Sequence, residues 1–114
     1  MKKRVAVLAF RGQRSCFLHA LLNVVDLMER DAEVVMILEG ESPGILKEIT
    51  RTDDPLHDLY KKAKPSIGAV CLACSKMMGA LDIAEKEGLP ISSSLSGHVR
   101  LSDYLEKGYE FITF

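Results

Sequence analysis

The sequence predicts a three-layer α/β domain whose sheet is mainly parallel. Short apolar runs typical of buried strands alternate five times with stretches that carry helical spacing or helix-capping residues. One of these runs, SIGAVCLA (66–73), is apolar on both alternating faces, which is typical of a central strand in a parallel sheet. Parallel strands need crossover connections, so we expect helices on both faces of the sheet, joined by right-handed crossovers.

The first half of the chain predicts two strands with a long helix between them. RVAVLAF (4–10) and EVVMIL (33–38) have the composition of buried strands, and Ser15 can cap a helix over residues 16–30. The rest of this helix is apolar, so we expect it to be covered on more than one side, and this predicts a homo-oligomer. Its polar side chains form one narrow stripe, made of His19, Asn23, Asp26 and Arg30.

Capping residues, prolines and glycines delimit the remaining elements. Ser42-Pro43 and Asp54-Pro55 each combine an N-cap residue with a proline at the first helical position. In chain order, we predict a short helix from Ser42 to about Ile49, a second helix that Pro65 ends, the strand 66–73 and a helix over 76–87 capped by Ser75. These are followed by a short strand near Ile91, a polar loop over 92–98, a small helix capped by Ser102 and a last strand over 109–114.

Composition and charge narrow the functional classes. A chain of 114 residues with 47% hydrophobic and 27% charged residues is typical of one globular domain, which we place at residues 1–114. Fifteen Lys and Arg residues nearly balance 16 Asp and Glu residues, so we expect neither nucleic acid nor a membrane surface as a partner. Three cysteines without a signal-peptide pattern predict reduced thiols and a cytoplasmic location.

The predicted topology brings several reactive side chains to one edge of the sheet. In open parallel sheets, ligands and catalytic groups gather at the carboxyl ends of the strands. The loops at those ends are residues 11–15, 39–41, 72–75 and 92–98. The reactive residues in or beside these loops are Cys16, Cys71, Cys74 and His98.

The two neighbouring cysteines differ in their predicted surroundings. Cys74 directly precedes the predicted N-cap Ser75, where free backbone N–H groups and the helix dipole would lower the pKa of a thiol, and Lys76 adds positive charge. Cys71 has two interpretations. It is either a small apolar residue of the strand core or a second site thiol, if the strand ends early enough for its sulfur to face the cleft.

The Cys71-x-x-Cys74 spacing raises two sharper hypotheses. A zinc site needs four ligands, and here His98 could supply a third and Cys16 only a distant fourth, so we expect no metal. A thioredoxin-type pair places its first cysteine at a helix N-terminus, whereas Cys71 is predicted in a strand. A reversible disulfide between the two cysteines remains an alternative.

Polar residues in the edge loops complete the candidate site. His98, which follows Gly97, could act as an acid or base or bind an anion, or it could be an ordinary solvent-exposed histidine. Glu39 could orient a residue of the cleft or be solvated. The serines between Ser92 and Ser96 could present hydroxyl groups to an anion or simply form a loop.

Two stretches resemble a known protein family. VCLACSKMMG (70–79) looks like the strand, reactive cysteine and helix opening of the DsrE/DsrF-like family, with Gly79 eight positions after Cys71. SLSGHVRLSDYLEKGYEFITF (94–114) is similar to the C-terminal loop, short helix and last strand of that family. The family includes the small sulfur-relay subunits of the DsrEFH and TusBCD type.

The resemblance implies a fold, an assembly and a chemistry. It implies a five-stranded parallel sheet of the flavodoxin-like kind, a trimer or hexamer, and a persulfide carried on Cys71, whereas the local electrostatics favour Cys74. We therefore expect a cytoplasmic carrier that accepts sulfur from a donor protein and relays it to an acceptor without a metal or nucleotide cofactor. Such a carrier is only loosely an enzyme. The alternative is a non-catalytic oligomeric module that binds a small ligand or a protein at the same edge.

Overall fold

Five parallel strands form one sheet in the computed structural model, which describes residues 2–114, and their order is β4-β3-β2-β1-β5. The strands are β1 (Arg4–Ala9), β2 (Glu33–Leu38), β3 (Ile67–Cys71), β4 (Ile91–Ser92) and β5 (Glu110–Thr113). The helices are α1 (Arg14–Glu29), α2 (Leu46–Ile49), α3 (His57–Ala63), α4 (Leu72–Met77), α5 (Leu81–Lys86) and α6 (Ser102–Glu106), with 3₁₀ turns at Ser42–Ile45 and Lys64–Ser66. The predicted three-layer α/β class with a five-stranded parallel sheet is confirmed.

The two faces of the sheet are covered unequally. On one face, side chains from α1, α2, α3 and α5 pack against the odd-numbered residues of β1, such as Val7. On the other face, Ala6, Leu8 and Cys71 lie under the loop that follows β4 and under α6. Because the chain crosses to this second face only after β4, the layer that covers the two cysteines is the thinner one.

A β-bulge at Gly68 sets the direction in which Cys71 points. Met36 of β2 pairs with Ile67, but the next residue, Ile37, pairs with Ala69, so Gly68 is an extra residue in β3. Ile67 consequently faces the first layer and Ala69 the second, although residues two apart in a regular strand share a face. Cys71 lies two residues after Ala69, so it points to the same face of the sheet and lies under the thinner layer.

Several predicted boundaries near the cysteines are wrong. The strand predicted over 66–73 ends at Cys71, and α4 begins at Leu72 with Cys71 as its N-cap in place of Ser75. The helix predicted over 76–87 is two helices, α4 and α5, because Gly79 adopts a φ of +64° that breaks the helical backbone. Further upstream, α1 begins at Arg14, with Gln13 at the N-cap position predicted for Ser15.

The surroundings of α1 are relevant to the predicted homo-oligomer, because that prediction was based on the broad apolar surface of this helix. Its polar stripe faces solvent, and Leu22 is the apolar side chain of this helix that is exposed. Most of its other apolar residues pack within the chain against β1, β2 and α3, so α1 by itself does not require a second copy, and the homo-oligomer stays a prediction. Within residues 2–114, α1 is the longest helix, and no helix there is long and apolar enough to cross a membrane.

Candidate functional site

Four side chains meet at the carboxyl edge of the sheet: Glu39, Cys71, Cys74 and His98, whose potential ligand atoms all lie within 4.8 Å of one another. They come from the end of β2, the end of β3, the first turn of α4 and the loop after β4, respectively. The structure thus brings together three of the four reactive residues that the predicted topology places at this edge. Cys16 is not among them, because its Sγ lies in α1 and donates to Oε1 of Gln13 at 3.4 Å.

Cys71 occupies the junction between β3 and α4. Its Sγ accepts a hydrogen bond from the backbone N–H of Cys74 at 3.4 Å, which makes it the N-cap of α4. The same sulfur lies 3.2 Å from Nδ1 of His98. Cys71 is fully buried, and its sulfur is surrounded by polar groups of the protein as well as by apolar ones. Cys71 is thus the last residue of β3, in the strand as predicted, and also the N-cap of α4, one turn before Cys74.

Cys74 has surroundings that oppose its ionisation. Burial raises the pKa of the Cys74 thiol to about 11, and the hydrogen bond with Cys71 and the nearby charge of Glu39 act in the same direction. The backbone N–H of Gly40, 3.2 Å from Cys74 Sγ, only partly offsets this. The predicted lowering of the Cys74 pKa is wrong, because Cys74 lies buried inside α4 and not ahead of an exposed helix start.

Glu39 and His98 form the polar side of the cluster. Oε2 of Glu39 lies 3.9 Å from Nδ1 of His98, and the Glu39 side chain is only 12% exposed. Burial raises the pKa of the Glu39 carboxyl, while proximity to His98 and hydrogen bonds from the Cys71 thiol and the Val99 backbone act against that rise. The Glu39 carboxyl group thus lies beside both the Cys71 thiol and the His98 imidazole.

A surface groove opens beside the cluster. It has a volume of about 520 Å³, and Glu39 and His98 form part of its wall, together with residues of the loop after β4 and the start of α6. The His98 side chain is 44% exposed, whereas Cys71 and Cys74 are buried. Glu39 and His98 therefore lie between the open groove and the two sulfurs.

The remaining predicted site residues have supporting positions. Ser75 is fully buried, and its hydroxyl donates to the carbonyl oxygen of Cys71 at 2.6 Å, so it holds the β3–α4 junction and does not line the groove. The carbonyl of Gly97 accepts the N–H of Ala73 at 2.9 Å and lies 3.8 Å from Cys71 Sγ, which fastens the loop of His98 onto α4.

Sequence reasoning missed the part that Gly40 plays in the site. Its backbone has a φ of +61°, and an added Cβ would lie 2.7 Å from the carbonyl oxygen of Phe10. This conformation directs the Gly40 N–H at Cys74 Sγ. The available signal was a glycine one residue beyond a strand-terminal glutamate, in a loop already assigned to the functional edge.

Solved structures with a similar fold include two proteins from bacteria. BT1422, a conserved protein of unknown function from Bacteroides thetaiotaomicron, aligns with a TM-score of 0.71 over 98% of this chain and 95% of its own. The ychN protein from E. coli aligns with a TM-score of 0.68 over the whole of both chains. Both are 15% identical to this chain, so the likeness concerns the fold alone, which is the DsrE-like fold.

Sequence relatives come from archaea. No family model matches the chain. An uncharacterized protein from Archaeoglobus fulgidus is 54% identical over 37 residues, which are 32% of this chain and all of that relative. The uncharacterized protein MJ0733 from Methanocaldococcus jannaschii is 36% identical over 95 residues, which cover 83% of this chain and 77% of MJ0733. Identity at that level over most of both sequences means that the chain belongs to the same protein family as MJ0733.

Proposed function

We propose that this protein is a DsrE/DsrF-like sulfur carrier that holds a persulfide on Cys71 and relays the outer sulfur to a partner in a reducing cytoplasm. The observation that carries the proposal is the position of Cys71 Sγ, which lies 3.2 Å from Nδ1 of His98 and accepts the N–H of Cys74. A nearby imidazole can take up the thiol proton, and a backbone donor stabilises a sulfur anion. The vicinal cysteines and the DsrE-like fold support the same chemistry.

The loading step conserves atoms and electrons. The Cys71 thiolate attacks the outer sulfur of a donor persulfide, a new S–S bond forms on Cys71, and the donor leaves as a thiolate that regains the proton held by His98. Unloading repeats the step with an acceptor thiol as the attacking group. If Cys74 instead attacks the Cys71 sulfur, a Cys71–Cys74 disulfide forms and hydrogen sulfide leaves, so a cellular thiol must then reduce the disulfide.

Mass spectrometry tests the carrier function directly. Reduced protein, kept in a metal chelator, is incubated with inorganic polysulfide, and we expect the intact mass to rise by one sulfur atom. Cys71→Ser should abolish the gain, and it leaves an oxygen that can still cap α4. Cys16→Ser is the matched control and should load like the wild type. His98→Ala should slow loading by about 100-fold, as for loss of a general base.

Two results would contradict the carrier function. One is the absence of any sulfur adduct on the wild type, and the other is an adduct that persists in Cys71→Ser at the wild-type rate. Either result would favour the second candidate, a non-catalytic oligomeric module that binds a small ligand or a protein. The observation that favours this module is the open groove beside His98, where Arg100 and Ser102 stand with Glu39 on the wall.

A further inference from the structure

The four donor atoms at the sheet edge have the spacing of a coordination shell. Two sulfurs, one imidazole nitrogen and one carboxylate oxygen lie within 4.8 Å of one another. His98 Nδ1 lies 3.2 Å from Cys71 Sγ, 3.6 Å from Cys74 Sγ and 3.9 Å from Glu39 Oε2. A tetrahedron with zinc–ligand bonds of about 2.0–2.3 Å has edges of about 3.3–3.8 Å, so these separations need only small adjustments to enclose an ion.

Backbone donors already surround the ligands as they would in a metal site. The N–H of Cys74 points at Cys71 Sγ, and the N–H of Gly40 points at Cys74 Sγ, so each sulfur has one amide donor able to stabilise a thiolate. The N–H of Val99 bonds the Glu39 carboxylate. Such outer contacts orient ligands before the ion binds, and they contribute to affinity in known metal sites.

We propose that Cys71, Cys74, His98 and Glu39 together bind one divalent ion of the zinc class in tetrahedral geometry. A donor set of two thiolates, an imidazole and a carboxylate suits Zn²⁺ and not the hard cations Mg²⁺ or Ca²⁺. The thiol protons of both cysteines leave to solvent as the ion binds. The sequence offered only the distant Cys16 as a fourth ligand, whereas Glu39 occupies that position in the fold.

The metal site goes beyond the proposed sulfur function and competes with it for the same atom. Zinc binding uses one lone pair of the Cys71 sulfur and withdraws electron density from it, so the zinc-loaded protein should accept sulfur more slowly than the metal-free protein. Conversely, a persulfide on Cys71 should displace or exclude the ion. Zinc and a persulfide sulfur would therefore compete for Cys71.

Titration with cobalt tests the site, because Co²⁺ takes the same ligands and is coloured. Adding Co²⁺ to reduced, metal-free protein should give thiolate-to-cobalt absorption in the near ultraviolet and intense visible bands of a tetrahedral ion, saturating at one equivalent. Zn²⁺ should bleach both signals. Zinc affinity is then measured by competition with a chromophoric chelator, and Zn²⁺ should raise the Tm of the wild type.

Substitutions with matched controls assign the ligands. Cys74→Ser and His98→Ala should each weaken zinc binding by more than about 100-fold, and Glu39→Gln by about 10-fold or more. Cys16→Ser, His19→Ala and Glu41→Gln change the same residue types outside the cluster and should bind like the wild type. Far-ultraviolet circular dichroism of each metal-free variant shows that it is folded.

Two outcomes would overturn the metal site. They are a wild type that binds no Co²⁺ with tetrahedral bands, and a folded Cys74→Ser variant that binds zinc as tightly as the wild type. Neither outcome touches the sulfur function, which is assayed in chelator. Likewise, a protein that fails to load sulfur in chelator could still bind zinc, so the two proposals fail separately.

Discussion

Cys71 serves structure and chemistry through one sulfur atom. It ends β3, caps α4 through the N–H of Cys74, and places its sulfur against His98. A serine at this position can replace the cap but not the nucleophile, whereas an alanine replaces neither. Comparing the two variants therefore separates loss of sulfur chemistry from loss of stability.

A second polar contact, which is partly buried, lies on the opposite face of the sheet. The ring of the Tyr60 side chain is buried, and its hydroxyl donates to Oε1 of Glu87 at 2.5 Å, while Nζ of Lys64 lies 3.3 Å from the same oxygen. Burial by itself would raise the pKa of Glu87, but the hydrogen bonds from Tyr60 and Lys64 outweigh it and lower the pKa below its usual 4.5. The contact therefore stabilises the fold most when Glu87 is ionised.

Replacing Tyr60 by Phe should lower the free energy of unfolding by about 0.5–1.5 kcal/mol at neutral pH, because the half-buried Glu87 carboxylate loses a hydrogen bond. Glu87 has a lower pKa in the folded state, so its stabilisation is present above its unfolded pKa and is lost as the pH falls through the folded value. The difference between wild type and variant should therefore narrow in acid. Urea denaturation at neutral pH and across the acid range measures it.

A second substitution checks whether the charge of Glu87 causes the difference in stability. Glu87→Gln keeps an acceptor for the Tyr60 hydroxyl but removes the titrating group, so its loss of stability should be largest at neutral pH and should vanish in acid. A Tyr60→Phe difference that stays constant from neutral pH into acid would contradict the role given to the Glu87 carboxylate.

At the scale of elements, the sequence pattern predicted which segments are strands and helices but not how they join. The alternation of apolar and helical stretches follows from burial, and burial is visible in residue types. The run 66–73 is apolar on both faces, so its apolar pattern does not reveal the bulge at Gly68. This bulge turns Cys71 toward the thinner layer. The start of α4 was misplaced because Ser75 looks like a cap, whereas the group that caps α4 is a cysteine sulfur.

The candidate site could be predicted only in part, because the sequence pattern shows which segments form but not how they contact one another. Topology alone places the ends of β2 and β3 and the loop after β4 at one edge, and this brings Glu39, Cys71, Cys74 and His98 into one region. Whether they touch depends on the Gly97 carbonyl bonding Ala73, a tertiary contact that leaves no sequence pattern. The high pKa of Cys74 depends likewise on burial that only the folded layers define.

Gly68→Ala should lower the free energy of unfolding by about 1–3 kcal/mol, because the added methyl group would clash with Cγ2 of Val35 in β2. The backbone of Gly68 does not have a positive φ, so the loss arises from crowding and not from backbone strain. Chemical denaturation of the variant measures it.

A double-mutant cycle identifies the crowded atoms. Val35→Ala removes Cγ2, so the combined variant Gly68→Ala/Val35→Ala should lose less stability than the sum of the two single variants, by about 1 kcal/mol or more. Strict additivity would mean that the Gly68 side of β3 is not crowded by Val35 and would contradict the packing described for the bulge.

At the scale of the whole molecule, several large apolar side chains remain uncovered by the chain. Met77 in α4 is 83% exposed and Leu105 in α6 is 60% exposed. An exposed apolar side chain favours association when a contact removes its surface from water, in proportion to the apolar area buried. Met77 and Leu105 are better candidates than α1 for the contacts of the homo-oligomer that the sequence predicts, since most apolar residues of α1 pack within its own chain.

Size-exclusion chromatography with light scattering should show a trimer or hexamer at micromolar concentration. Introducing charge with Met77→Glu/Leu105→Glu should shift the mass toward the monomer, because each carboxylate would have to be desolvated at a contact between copies. His19→Glu, on the polar stripe of α1, is the matched control and should leave the mass unchanged. A monomeric wild type would contradict the proposed assembly.

The position of β5 beside β1 has a consequence for how the protein is made. β1 leaves the ribosome before the other strands and β5 after them, yet the two are hydrogen-bonded neighbours in the finished sheet. Until β5 arrives, one side of β1 presents unpaired N–H and C=O groups on which a strand of another nascent chain could add. The Glu39–Cys71–Cys74–His98 cluster lies on the β2–β3–β4 side of the sheet and takes no ligand atom from β5, so pairing of another strand along β1 would leave its four side chains in place.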